Sequence, residues 1–141
     1  MGASMVTLCS SESFKIMQTY KVTVDCDKNI QWFNDKDERH RLDGPALEGG
    51  NGDKEWWVNN KLHRLDGPAC EYADGDKEWY VDGERHRLDG PAIEYADGDK
   101  DWYVNGAEMT KEEFNEYIKP KPSCEGKVVE IDGKKYKLVS I

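Results

Sequence analysis

The side chains best able to do chemistry in this chain are three histidines, His40, His63 and His86. Each is followed by an arginine (Arg41, Arg64, Arg87) and, three residues on, by an aspartate (Asp43, Asp66, Asp89). Imidazole, guanidinium and carboxylate together can hold a metal or move protons. A catalytic centre, however, needs unlike groups converging on one point, and identical triplets at equal intervals place like groups along an axis. The reading is therefore a structural ladder, in which His and Arg cap a turn or pair with the aspartates. Partner contact and a metal site are the alternatives, and an enzyme would need the ladder to hold zinc or another metal. No phosphate-binding glycine loop, GxSxG or nucleophile beside a base is present, so no enzyme and no cofactor is expected.

The triplets belong to a longer phrase. HRLDGPA stands at 40–46, 63–69 and 86–92, always 23 residues apart. Trp56-Trp57-Val58, Trp79-Tyr80-Val81 and Trp102-Tyr103-Val104 keep the same register, as do three Gly-Asp-Lys runs beginning at Gly52, Gly75 and Gly98. A fixed period means a repeated supersecondary unit. Asp-Gly pairs punctuate each unit, and only short runs rich in Trp, Tyr, Val and Ile lie between them, which suits strands and turns. The expected unit is a β-hairpin followed by a short extended return. One hairpin buries too little to stand alone, so neighbours must stack. The predicted fold is mainly β: an elongated twisted sheet or solenoid of hairpins over 23–106, with a short helix and a terminal hairpin in 107–141. Residues 1–22 read as an N-terminal segment, with Met1 to Ser4 an expression remnant. Cross-strand charge favours a three-residue loop at Ala96-Asp97-Gly98, which sets Glu94 opposite Lys100.

Thr23 to Phe33 resembles a degenerate first hairpin that caps the array. Thr110-Lys111-Glu112-Glu113 reads as a capping box opening a helix to about Ile118, whose Phe114, Tyr117 and Ile118 would lie over the last repeat. Val128 to Ile131 and Tyr136 to Val139, across Asp132-Gly133, read as the final hairpin. Gly49 to Asp53 faintly resembles a calcium β-roll turn but occurs once, and reads as turn drift.

Of 141 residues, 37% are hydrophobic and 35% charged, with a net charge of −9. That disfavours direct nucleic-acid binding. The charge is uneven: residues 71–101 hold 11 acidic and 4 basic side chains, and 119–137 hold 6 basic and 3 acidic. Cys9, Cys26, Cys70 and Cys124 have no metal-type spacing, and Cys70 stands where other units have Leu47 and Ile93, as a core residue would. With no secretory signal and no membrane-length apolar run, a cytoplasmic location is expected. Adjacent aromatics on a strand face opposite ways, so one of each pair Trp56/Trp57, Trp79/Tyr80 and Trp102/Tyr103 should form an outer row suited to protein recognition. With Asp74, Asp76, Asp97 and Asp99, these are the candidate partner-binding residues.

Over residues 32–106 the units resemble the HRxDGPA repeat proteins of phages and large DNA viruses, distant relatives of MORN-type repeats, which include antitoxin-like proteins. The resemblance implies non-catalytic modules. By analogy with small acidic phage proteins, it implies an inhibitor of a host protein, such as a CRISPR or other anti-phage defence component. The alternatives are an acidic nucleic-acid mimic that blocks a basic channel, and an antitoxin-like or structural repeat protein. A homodimer through the terminal segments is expected rather than a monomer, because the terminal units lack a neighbour on one side.

Overall fold

The computed structural model describes residues 19–120 and 128–137. It is mainly β, and its unit is a pair of hairpins. In the first, Leu47–Glu48 (β3) pairs with Lys54–Glu55 (β4). At Trp56 the chain leaves that ladder and makes a second, two-residue hairpin, Trp57–Val58 (β5) with Lys61–Leu62 (β6). The next unit repeats the plan with Cys70–Glu71 (β7), Lys77–Glu78 (β8), Tyr80–Val81 (β9) and Glu84–Arg85 (β10). The third has Ile93–Glu94 (β11), Lys100–Val104 (β12) and Ala107–Met109 (β13), where the kink is absent and one strand serves both hairpins. The expected extended return is thus itself a hairpin, turned by Asn59-Asn60, Asp82-Gly83 and Asn105-Gly106, all at positive φ. Two-residue loops with positive φ at both positions match the right-handed twist of a hairpin.

The first hairpins join into one antiparallel sheet. Its order is β1 (Lys21–Val24), β2 (Ile30–Phe33), β3, β4, β7, β8, β11, β12, β13, each strand beside its neighbour in the series. The loop register is the predicted one. Glu94 faces Lys100, and Ala96-Asp97-Gly98 forms a three-residue loop with Gly98 at φ +100°. The same pairing sets Glu71 opposite Lys77 and Glu48 opposite Lys54. The degenerate first unit is the expected cap: its extra residue is absorbed by a turn in which the Asn34 N–H donates to the Glu38 carbonyl. Gly50, in the stretch likened to a calcium loop, is glycine for a packing reason. A Cβ there would sit 2.0 Å from the Asp27 carbonyl oxygen.

The core is a thin column. Ala46, Ala69 and Ala92, the last residues of HRLDGPA, are 0% exposed, and Cys70, Ile93, Val104 and Phe114 complete the buried hydrophobic set among the described residues. Cys70 does take a core place, and burial pushes its thiol up to about 12. Because the thiolate is the nucleophile, iodoacetamide at mildly alkaline pH is expected to label exposed Cys26 and spare Cys70 until urea unfolds the chain. Peptide mapping checks this, and equal labelling of the native protein would show that the second unit opens. Cys9 and Cys124 lie outside the described residues.

Lys111–Tyr117 forms the helix, α1. Thr110 is its N-cap: the Glu113 N–H donates to Thr110 Oγ1, and the Thr110 N–H donates to Glu113 Oε2 at 2.8 Å. Only Phe114 packs. Tyr117 is 53% and Ile118 44% exposed, so the expected three-residue apolar face reduces to one residue, because the helix ends a single turn after Phe114. The last hairpin, Val128–Ile131 (β14) with Lys134–Lys137 (β15), turns at Asp132-Gly133 as expected. Of the terminal segments on which the dimer was expected to rest, 5–22 and 127–141, residues 5–18, 127 and 138–141 lie outside the described residues, as do residues 138–139 of the expected last strand. No helix among the described residues is long and apolar enough to cross a membrane.

Candidate functional site: the HRLDG loop row

In each unit HRLDGPA follows the second hairpin and leads back into the sheet, so the three copies lie in a row along it. The arginine organises each loop. Arg64 Nε donates to Asp66 Oδ1 at 2.8 Å, and its Nη1 donates to the Pro68 carbonyl at 3.0 Å and to Glu71 Oε1 at 2.9 Å. Arg41 makes the same bonds to Asp43, Pro45 and Glu48, and Arg87 to Asp89, Pro91 and Glu94. Each guanidinium also lies over a tryptophan ring: Arg41 over Trp32 at 4.2 Å, Arg64 over Trp56 at 3.9 Å and Arg87 over Trp79 at 3.9 Å. Glycine follows the aspartate because the guanidinium fills the space a side chain would need. A Cβ on Gly44, Gly67 or Gly90 would lie 3.0 Å from the arginine Cζ. The arginine hydrogen bond holds the Asp43, Asp66 and Asp89 carboxyls below the usual range, so all three are anionic at neutral pH.

The histidines cap turns, but not in their own units. His40 Nδ1 accepts the Asn59 N–H at 3.1 Å, His63 Nδ1 that of Asp82 and His86 Nδ1 that of Asn105. Each acceptor thus serves the left-handed residue that opens the next unit's second turn, 19 residues on. His63 Nδ1 also lies 3.0 Å from Asp82 Oδ1, so at that site the ring nitrogen faces both the N–H and the carboxylate of one residue. Among the described residues no three His, Cys, Asp or Glu side chains come together as metal ligands.

The expected bare outer row of aromatics is not what the structure shows. Trp56, Trp57, Trp79, Tyr80, Trp102 and Tyr103 are all half-buried. Trp57 Nε1–H donates to Glu55 Oε2 and the Tyr80 hydroxyl to Glu78 Oε2, each at 2.7 Å. Arg39 lies over Trp57, and Arg85 over Tyr80 and Tyr103. Both aromatics of the pairs thus sit beneath arginines or in the array, and they do so with or without the kink, since Trp102 and Tyr103 are half-buried on an unbroken strand. Trp102 has no such cover from the repeat phrase, since Thr110 stands where the fourth arginine would be.

The candidate aspartates divide by role. Asp74 Oδ1 accepts the Asp76 N–H, and Asp97 Oδ1 the Asp99 N–H, closing their own loops. Asp76 Oδ1 accepts the Ala96 N–H of the next unit at 2.7 Å, as Asp53 does for Ala73. Asp99 holds the same position at the end of the series, with no following repeat loop.

What stands out in the row is leucine. Leu42 is 59%, Leu65 80% and Leu88 51% exposed, one per unit, each beside an exposed aspartate. Neither charge nor aromatic content marks these leucines in the sequence. The available signal was their place immediately before Asp-Gly, at a turn rather than in a strand. Comparison with protein-family models, with curated proteins and with solved structures finds no match to the chain.

Proposed function

We propose that the chain is a non-enzymatic protein-binding module whose docking face is the HRLDG loop row, acting as a viral accessory protein that occupies and inhibits a host protein. The observation that carries the binding role is the exposed Leu42, Leu65 and Leu88 series on loops that arginine clasps hold rigid. Exposed apolar side chains on a preorganised, anion-rimmed surface lower the ordering cost of association. The viral and inhibitory part rests on the resemblance of residues 32–106 to HRxDGPA repeats.

Nucleic-acid mimicry is less well supported by the geometry. Of the carboxylates in 71–101, Glu71, Glu78, Asp89 and Glu94 are paired with arginines, and Asp74, Asp76 and Asp97 accept backbone N–H groups.

The test is a Leu65→Ser/Leu88→Ser protein, compared with the wild type for cross-linking to partners in an extract of its natural host. Because these side chains are exposed, thermal stability is expected to change by no more than about 0.5 kcal/mol, while the specific cross-linked partner is lost. Retention of that partner at wild-type yield would overturn the assignment of the docking face.

A further inference from the structure

Each pair of neighbouring HRLDG loops encloses a groove. One, of about 560 Å³, lies between the 41–44 and 63–66 loops and includes Trp56 and Val58 in its lining. The other, of about 530 Å³, lies between the 64–67 and 86–89 loops and includes Trp79 and Val81. His63 and Leu65 line the first, His86 and Leu88 the second.

One unit earlier, the equivalent groups are already engaged by this chain. The Tyr20 hydroxyl accepts the Leu42 N–H at 3.2 Å, and the Tyr20 ring centroid lies 6.2 Å from that of His40. His40 is buried, whereas His63 and His86 are half-buried. Among the described residues nothing accepts the Leu65 or Leu88 N–H. The residue after Tyr20 is Lys21, whose ammonium donates to Asp37 Oδ1 at 2.6 Å. Lys21 thus reaches the 34–38 turn and not the aspartate rim of the loops, so it is the tyrosine alone that this surface already holds once.

We propose that the two grooves are binding sites for tyrosine side chains of a partner protein, each tyrosine flanked by lysine or arginine. This rests on the docking-face reading and names its ligand. The chemistry follows from the lining. Tryptophan, valine and leucine supply apolar area for a ring, and the leucine N–H, with no acceptor among the described residues, can donate to a phenol oxygen but not to a phenyl ring. The Asp43, Asp66 and Asp89 carboxylates on the rims each give one oxygen to an arginine Nε, at 2.9, 2.8 and 2.7 Å, but stay largely exposed. The solvent-facing carboxylate oxygen is what a cationic flank would meet. Because the sites repeat one unit apart, a partner presenting two such tyrosines engages both, and the second contact becomes intramolecular.

The test uses the full ¹⁵N-labelled chain and a short capped peptide, Gly-Lys-Tyr-Lys-Gly, titrated to millimolar concentration, beside its phenylalanine counterpart. The expected result is that the Leu65 and Leu88 amides shift together as they take up an acceptor, with a smaller response from Leu42, which lines the first groove but whose N–H is already held by Tyr20. The phenylalanine peptide should bind roughly three- to tenfold more weakly, as the loss of one hydrogen bond implies. Joining two Lys-Tyr-Lys segments by a flexible linker should tighten binding by at least about tenfold. In a Tyr20→Ala protein the Leu42 amide should respond as the other two do. If that variant does not fold, the wild-type titration still decides.

Unmoved Leu65 and Leu88 amides, or equal binding of the two peptides, would overturn the proposal. The two readings also fail separately. Partner loss in the Leu65→Ser/Leu88→Ser protein with no peptide response would sink the tyrosine sites and leave the docking face. A peptide response with partner capture intact in that double variant would do the reverse.

Discussion

Replacing Ala69 with leucine is expected to destabilise the protein by about 3 kcal/mol, toward the upper end of the range for overpacking a closed core. Ala69 is 0% exposed, its N–H donates to the Glu78 carbonyl, and its own carbonyl accepts the Trp56 N–H, both at 2.8 Å. A larger side chain has no free volume to enter, and it cannot move aside without breaking bonds to strands on either side. Urea denaturation measures the effect as a lower midpoint. The same substitution at exposed Ala107 is the control and should move stability by no more than about 0.5 kcal/mol. An Ala69→Leu protein as stable as the wild type would mean that the alanine column is not the core.

The second large effect is expected at Arg87. Truncation to alanine removes bonds to Asp89, the Pro91 carbonyl and Glu94, and uncovers Trp79. The side chain is about four-fifths buried, at 20% relative exposure, so the loss is not that of a surface ion pair. Roughly 2–4 kcal/mol is expected, mostly from the Pro91 carbonyl and Glu94 left without their donor. Arg87→Lys should recover less than half, because an ammonium cannot span three acceptors while stacking flat on an indole. Asp89→Asn should leave the urea midpoint nearly unmoved, since that carboxylate stands in solvent. Full rescue by lysine would show that charge alone, and not the fork geometry, holds the loop.

The period, the β class, the three-residue loop and the Thr110 capping box were legible because each is a local rule repeated or sharply signalled. Glu94 opposite Lys100 could be read from charge before any coordinate. The second hairpin was legible only in part: Asn105-Gly106 signals the turn that closes the last one and Asp82-Gly83 is a turn pair, but Trp57–Val58 and Lys61–Leu62 are too short to show alternation, and Asn59-Asn60 lacks the glycine. The inter-unit role of the histidines was hidden for another reason: their partners lie 19 residues away, and nothing in the phrase HRLDGPA points forward. The exposed leucines ran against the expectation that an apolar residue packs inward. That expectation fails where the chain turns immediately afterward and the adjoining tryptophan face is already taken by an arginine.

Every bond that joins the repeats, from His63 to the Asp82 N–H or from Asp76 to the Ala96 N–H, spans a single step to the next unit. No repeat needs information from one two steps away. Gene duplication of one 23-residue block would therefore insert a complete module whose both ends already match. Each insertion adds one arginine clasp, one alanine to the column and one groove. The number of grooves is thus set by copy number and can change without redesign of the fold, so binding valence can evolve separately from the chemistry of any single site.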